Sequence, residues 1–380
     1  MGTLARYYSS LNTGSGVPTL DNTASKLTSL FSACLYGSGF GSVTLTSLTN
    51  SGTTATATVS GGHGFLNKQV IEIAGATPSA YNGTFRIDFI SSTQFSYTMA
   101  SDPGGSATGT ITAKLPAVGG WQALYSGTGK LALNSTDLSA SGIPFRVNDT
   151  GTVYARLIGY ESMTDVDTGT NPFPLDAQIT GGSYLHKATS ATTRPWILCA
   201  SPNCIWLATF PDGSHWNLYG FGDFKSLYAG DLYASFVMGS ASNSLSYSTY
   251  AGYVYGSTYD PLYAARNTSG SVGAVKCPKR GVGNFSGYGS ASSGPNYAAP
   301  SPTGKDVIIS KAPILIEEYQ GEVRGELYGM RQVLNKHGAV STCGDIITGI
   351  TGYDDGVLII NESIPNLACL AFPLNDEAWT

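Results

Sequence analysis

The chain has 380 residues, a formal net charge of -5, 12% charged residues, 48 glycines and 23 tyrosines. Glycine is nearly twice, and charge about half, the usual shares of ~7% and ~25%, a balance that favours turn-rich β structure over disorder, which combines high charge with few aromatics. The negative balance supplies no broad basic field for nucleic acid, and no apolar run reaches the ~18 residues of a membrane-spanning helix.

The opening "MGTLARYYSS" lacks the apolar centre of a secretion signal, so the expectation is a protein made in a cytosol. Arg6 stands where a myristoylation signal has Ser or Thr, which removes that reading.

Residues 1–42 contain the one good helix pattern. Leu27, Leu30, Phe31, Cys34 and Leu35 recur at helical spacing behind Asp21 or Asn22 as cap, and Gly37 and Gly39 stop the run. So short an amphipathic helix has to dock, on this chain's own sheet or on a neighbouring subunit. Leu27 and Phe31 are its candidate interface residues.

Residues 43–115 read as a separate unit. "TATATVS", "QVIEIAG", "GTFRIDFI", "QFSYTMA" and "GTITAKL" are strand-like runs, divided by turns such as "GGHGF", "YNG" and "SDPGGS" at the spacing of a β-sandwich or small barrel. Extended flanks on both sides suit an insertion into a host, so excision is expected to leave the host folded. His63 has no acidic or nucleophilic neighbour in sequence, which favours a turn or packing role over catalysis.

Residues 116–239 form a central β-rich core with four of the five tryptophans, Trp121, Trp196, Trp206 and Trp216. "PWILCASPNCIWLATF" predicts two apolar strands joined by a turn at Ser201-Pro202-Asn203. The six cysteines, Cys34, Cys199, Cys204, Cys277, Cys343 and Cys369, form no C-x-x-C pair. Cys199 and Cys204 could face each other across that hairpin; buried free thiols are the favoured state in a reducing cytosol.

Residues 240–305 are rich in Gly, Ser and Tyr and nearly uncharged. They read as loops forming a contact surface, with Tyr250, Tyr253, Tyr255, Tyr259 and Tyr263 as interface candidates, because tyrosine gives contact area at low entropic cost. Residues 306–380 return to strands that pack on the host core, with "RGELYGM" expected as an irregular loop.

Convergent chemistry is sparse. No G-x-S-x-G, H-E-x-x-H or phosphate-loop motif is present. The acidic run "ESMTDVDTG" makes Glu161, Asp165 and Asp167 the only metal candidates, weak ones for calcium, and turn capping by aspartate is the favoured alternative. No catalytic residue, cofactor site or firm metal site is assigned. Paired carboxylates for glycoside hydrolysis need not be close in sequence, so a polysaccharide depolymerase stays as the enzymatic rival.

Several stretches resemble known proteins. Gly62-His63-Gly64-Phe65, Ile73-Ala74-Gly75-Ala76 and Tyr81-Asn82-Gly83-Thr84-Phe85, followed by Phe95 and Tyr97, resemble a small Ig-like β-domain that recurs as an insertion in bacteriophage virion proteins. Around it, Thr13-Gly14, Val17-Pro18, Cys34-Leu35 and Gly39-Phe40-Gly41 look like the opening of a family of phage structural proteins, with Ser15-Gly16 as an extra pair. The likeness continues through Phe145 to Gly151, Gly159-Tyr160-Glu161-Ser162-Met163, Pro172-Phe173-Pro174 and Gly220-Phe221-Gly222-Asp223. It runs on through Gly230-Asp231, Arg324-Gly325-Glu326-Leu327 and Gly344-Asp345 to Trp379.

The resemblance implies a mainly β protein, a sandwich-like host with one short N-terminal helix and an inserted Ig-like β-domain. It implies a structural component of a tailed-phage virion, tail or neck associated, which contacts other virion proteins and copies of itself. The alternatives are a capsid decoration or head spike, a module binding a host-surface receptor or glycan, and the depolymerase. None of these involves nucleic acid, a cofactor or membrane insertion.

Overall fold

A computed structural model describes residues 4–245, 262–270, 272–277, 279–280, 309–318, 322–333, 343–361 and 369–380. The chain is mainly β, with one short α-helix and four antiparallel sheets among the described residues. The sheets stack in a sandwich-like way around a largely continuous core.

The central sheet runs in the order Arg6–Ser9, Trp196–Ala200, Cys204–Thr209, Asn217–Asp223, Ser235–Met238, Leu262–Arg266, Val272–Cys277. Every residue of the four strands from Trp196–Ala200 to Ser235–Met238 is buried. This is why those strands read as continuous apolar runs rather than alternating ones: both faces are covered. On one face Phe221 packs edge-on to Phe31 of the helix, 5.6 Å between ring centroids, and lies 5.3 Å from Phe145 of a second sheet. Trp206 is paired with Gly220 and so projects from the opposite face, where it lies 6.0 Å from Phe372 of a third sheet and donates its indole N–H to the Tyr328 carbonyl at 2.9 Å.

The expected hairpin is present, its turn closed by Ser201 N–H to the Cys204 carbonyl. Cys199 is opposite Trp206, not Cys204, and both thiols are free and buried.

Two glycines explain their own motifs. Gly159 pairs with Phe173 and Gly220 with Trp206 across adjacent strands. A Cβ at Gly159 would come within 2.1 Å of the Phe173 ring, and one at Gly220 within 2.3 Å of the Trp206 ring. The aromatic rings lie over the bare backbone, so even alanine would overpack the site.

The second sheet contains Gly169–Phe173, Tyr154–Met163, Phe145–Asn148, Lys130–Ser135 and Trp121–Gly127, with Ser183–His186 beside Tyr154–Met163. The third contains Lys279–Arg280, Ile309–Glu317, Val323–Val333, Cys369–Pro373, Val357–Asn361 and Ile346–Ile347. "RGELYGM" therefore lies inside a long strand, contrary to the irregular loop expected. Its two glycines hid a strand whose register is broken by bulges.

The fourth sheet accounts for most of residues 40–115. Gly83–Ser91 pairs along its first part with Val70–Ala74 and along its second with Gln94–Thr98. Phe40–Thr44 and Ser47–Ser51 occupy the two ends of the strand order although only two residues separate them. The path thus folds back on itself as two layers. Buried residues alternate along its strands, as at Ala55 and Ala57 or Phe95 and Tyr97. His63 is buried in this core as a packing residue: Nε2 donates to the Ser91 carbonyl at 2.8 Å, Nδ1 accepts the Phe65 N–H at 3.0 Å, and the ring stacks on Phe65.

This unit is joined to the rest through buried polar groups. Arg86 donates to the carbonyls of Lys68, Ala5 and Leu374 at 2.8, 2.9 and 2.6 Å. Asn12 and Gln69 exchange side-chain amide hydrogen bonds at 2.8 and 3.0 Å, and the Tyr7 hydroxyl donates to the Asn67 carbonyl.

The helix spans Lys26–Phe31 and continues as a π-helical turn, Ser32–Tyr36. Its cap differs from expectation. Asp21 accepts the Thr23 N–H, whereas Asp149, far along the chain, accepts the N–H groups of Leu27 and Thr28 at 2.7 and 3.4 Å. The other Asp149 oxygen accepts from Lys187, whose ammonium also donates to the carbonyls of Thr23 and Gly151 at 2.9 and 2.8 Å. Both side chains are fully buried. Burial raises the Asp149 carboxyl above its ordinary range, with Lys187 and the two helix N–H groups opposing.

Candidate interaction site

Three segments distant in sequence meet around Arg324. It lies on the strand Val323–Val333 and is almost wholly buried. Its Nε and one terminal nitrogen fork onto the two Asp231 oxygens, each at 3.2 Å. The same terminal nitrogen donates to the Tyr233 carbonyl at 3.1 Å, and the other donates to Glu318 at 3.1 Å and to the Arg266 carbonyl. A guanidinium has five N–H donors in a fixed plane, and five acceptors surround this one.

The network continues outward. Arg266 forks onto Glu161 at 2.5 and 2.6 Å and lies 3.9 Å above the Tyr233 ring. Glu161 also accepts from Asn171 at 2.8 Å, and Arg266 holds its carboxyl below the usual range. Glu318 accepts the N–H and hydroxyl of Thr268 at 3.0 and 2.9 Å. Burial would push the Asp231 carboxyl up; the Arg324 hydrogen bonds outweigh this, helped by Ser226, and hold it down. Removing one partner from such a buried group strands the others, at a cost of about 3–5 kcal/mol.

With its donors saturated, Arg324 has none left for a substrate carboxylate or phosphate. What it holds in place is the loop 227–232. The Leu227 N–H donates to the Arg324 carbonyl at 2.9 Å. Ser226 donates to Asp231 at 2.8 Å, closing the loop at its base, and the Tyr228 hydroxyl donates to Glu322 at 2.5 Å. On this fixed base Leu227, Tyr228 and Leu232 are 58%, 40% and 71% exposed. The other large apolar side chains exposed among the described residues are Leu11, Phe89, Ile90 and Leu138.

The three acidic metal candidates do not converge. Glu161 belongs to Arg266. Asp165 accepts the N–H groups of Asp167 and Thr168 at 2.7 and 2.9 Å, a turn-capping role. Asp167 accepts from Lys130 at 2.8 and 2.7 Å and lies 3.7 Å from Arg146. Among the described residues no group of His, Cys, Asp and Glu is arranged to hold a metal ion.

The interface candidates are also relocated. Leu27 and Phe31 are fully buried against this chain's own sheets, because Asp149 and Lys187 pull the helix into the interior. Tyr263 is buried on Leu262–Arg266, a strand of the central sheet. Residues 240–305 therefore contribute the strands Leu262–Arg266, Val272–Cys277 and Lys279–Arg280 to two sheets, and are not loops throughout. Tyr250, Tyr253, Tyr255 and Tyr259 lie outside the described residues.

Sequence reading missed the loop 227–232, since "SLYAGDLYASF" looks like part of a strand-rich block. The available signal was Ala229-Gly230-Asp231, a turn sequence interrupting the apolar pattern. Arg266 and Glu318 gave no signal, for their roles depend wholly on distant partners.

No protein-family model matches this chain, and no curated protein matches it.

Proposed function

We propose that this chain is a structural component of a tailed-phage particle, associated with the tail or neck, whose product is contact area and not turnover. One observation carries the reading. Glu161, Asp231 and Arg324 come from three of the separate motifs that resemble the phage structural family, and they belong to one buried network. Motif residues that meet in a saturated structural clamp suit a scaffold better than a reaction centre.

Within this reading the unit of residues 43–115 is the inserted Ig-like domain, tied to the rest of the chain by the Arg86 hydrogen bonds to Ala5 and Leu374. Quantitative mass spectrometry of washed particles, with gold-labelled antibody on the intact chain, tests the proposal. The expected result is a fixed stoichiometry above one copy, with label at the tail or neck. Label on the head alone would favour a decoration or spike. Recovery only from infected-cell cytosol, with none on washed particles, would sink the virion reading.

A further inference from the structure

We infer that the groove between the π-helical turn Ser32–Tyr36 and the strands Trp121–Gly127 and Lys130–Ser135 binds a neutral saccharide. Its volume is about 460 Å³, within the ~300–1,000 Å³ of small-molecule sites. Six hydroxyl side chains line it: Thr28, Ser29, Ser32, Tyr36, Ser38 and Ser126. Thr28 donates to the Ser25 carbonyl at 3.0 Å, while the other five hydroxyls have no hydrogen-bond partner among the described residues. A π-helical turn is rare and concentrates at functional sites; this one is closed by the Gly37 N–H to the Ser32 carbonyl at 2.7 Å. The N–H groups of Val118 and Gly119 donate to the Cys34 and Leu35 carbonyls at 2.7 and 3.0 Å. They fix the turn beside the strand, so the groove is formed before a ligand arrives and little order is lost on binding.

The lining selects the ligand. A hydroxyl both donates and accepts, so a row of them matches sugar hydroxyls, which do the same. The half-buried Tyr36 ring has an apolar body and a polar tip, a surface that the C–H face of a pyranose can cover. An anion finds no free cation here: Lys130 is held by both Asp167 oxygens at 2.8 and 2.7 Å, and the Asp167 side chain stays 48% exposed to repel a second negative charge. A peptide side chain would find only Ala33 and Leu131 as aliphatic contacts, and Leu131 is buried. None of the described lining residues is an acid, whereas glycoside hydrolysis takes a pair of carboxylates. The groove therefore holds a sugar without cleaving it. Each hydrogen bond replaces one to water, so a single site is weak, with a Kd of about 1 mM. Several copies held together would strengthen it through effective concentration.

A glycan array of neutral and acidic oligosaccharides, incubated with the intact chain clustered on streptavidin, tests this. Neutral glycans should be retained, and titrating the best of them into the unclustered chain, followed by NMR, should give a Kd of about 1 mM. Tyr36→Ala should weaken binding at least about tenfold by removing the ring. Ser126→Glu, at an exposed strand position, should abolish retention with an unchanged melting temperature, so that a folding defect in Tyr36→Ala leaves the test intact. Ser101→Glu, exposed in the unit of residues 43–115, should bind as the wild type does. No retained glycan, retention of acidic glycans alone, or retention indifferent to Ser126→Glu would overturn the inference. Because the array uses purified chain alone, its failure is distinguishable from absence of the protein on particles.

Discussion

His186 is buried, with Nδ1 3.2 Å from the Tyr219 hydroxyl and the rings of Tyr154 and Tyr184 about it. Burial drives its pKa from 6.5 down to about 4, partly offset by the backbone of Asn243. The folded ring therefore stays neutral where the unfolded ring takes a proton. Its contribution is complete above pH 6.5, declines as the pH falls toward 4, and is constant below that. Over this window the loss should total about 3 kcal/mol. Asp149 and Asp223, both raised by burial, act in the opposite sense, since stability from a raised group is lost as pH rises through its folded pKa. Urea unfolding of the wild type and of His186→Gln at several pH values isolates the histidine. The wild type should lose stability more steeply between pH 6.5 and 4; parallel curves would refute the assignment.

For the helix, the decisive group lies outside the element. Lys26–Phe31 is far shorter than the ~12–15 residues that make an isolated helix even marginal in water, and its N-cap residue, Ser25, makes no side-chain cap hydrogen bond. Asp149 does the capping and simultaneously neutralises Lys187. Asp149→Ala should therefore cost about 3–5 kcal/mol, because it leaves a buried ammonium without a counter-charge. Adding Lys187→Met should recover part of the loss, since an apolar replacement of both partners is often close to neutral. Chemical denaturation of the single and double variants checks the order; a double variant less stable than the single would contradict this account. The helix pattern itself was plain in the sequence, because spacing along one element tells which face is buried. Its cap was not, because several local candidates looked suitable and the real one is 122 residues from the backbone group it accepts.

At the scale of the whole molecule, the unit of residues 40–115 is tied to both ends of the chain. Arg86 bonds to carbonyls of Ala5 and Leu374, Gln69 bonds Asn12, and Tyr7 and Tyr8 are buried. Excision of residues 43–115 should accordingly lower the melting temperature of the remainder by at least about 3 °C, the shift that about 2 kcal/mol produces at this size. Arg86→Leu in the full chain should reproduce part of the loss. Unchanged melting of the shortened protein would mark the unit as a removable appendage. The sequence alone determined the β class, the hairpin around Ser201-Pro202-Asn203, the amphipathic helix stripe and the turn-divided strands of residues 43–115. Each of these is written in local spacing and turn chemistry. Only the tertiary structure decided that Leu27 and Phe31 face inward, that Glu161 serves Arg266 rather than a metal, and that Leu227 and Leu232 stand in solvent. A side chain's partner depends on which distant strands become neighbours, and hydrophobic periodicity specifies a buried face without naming what buries it.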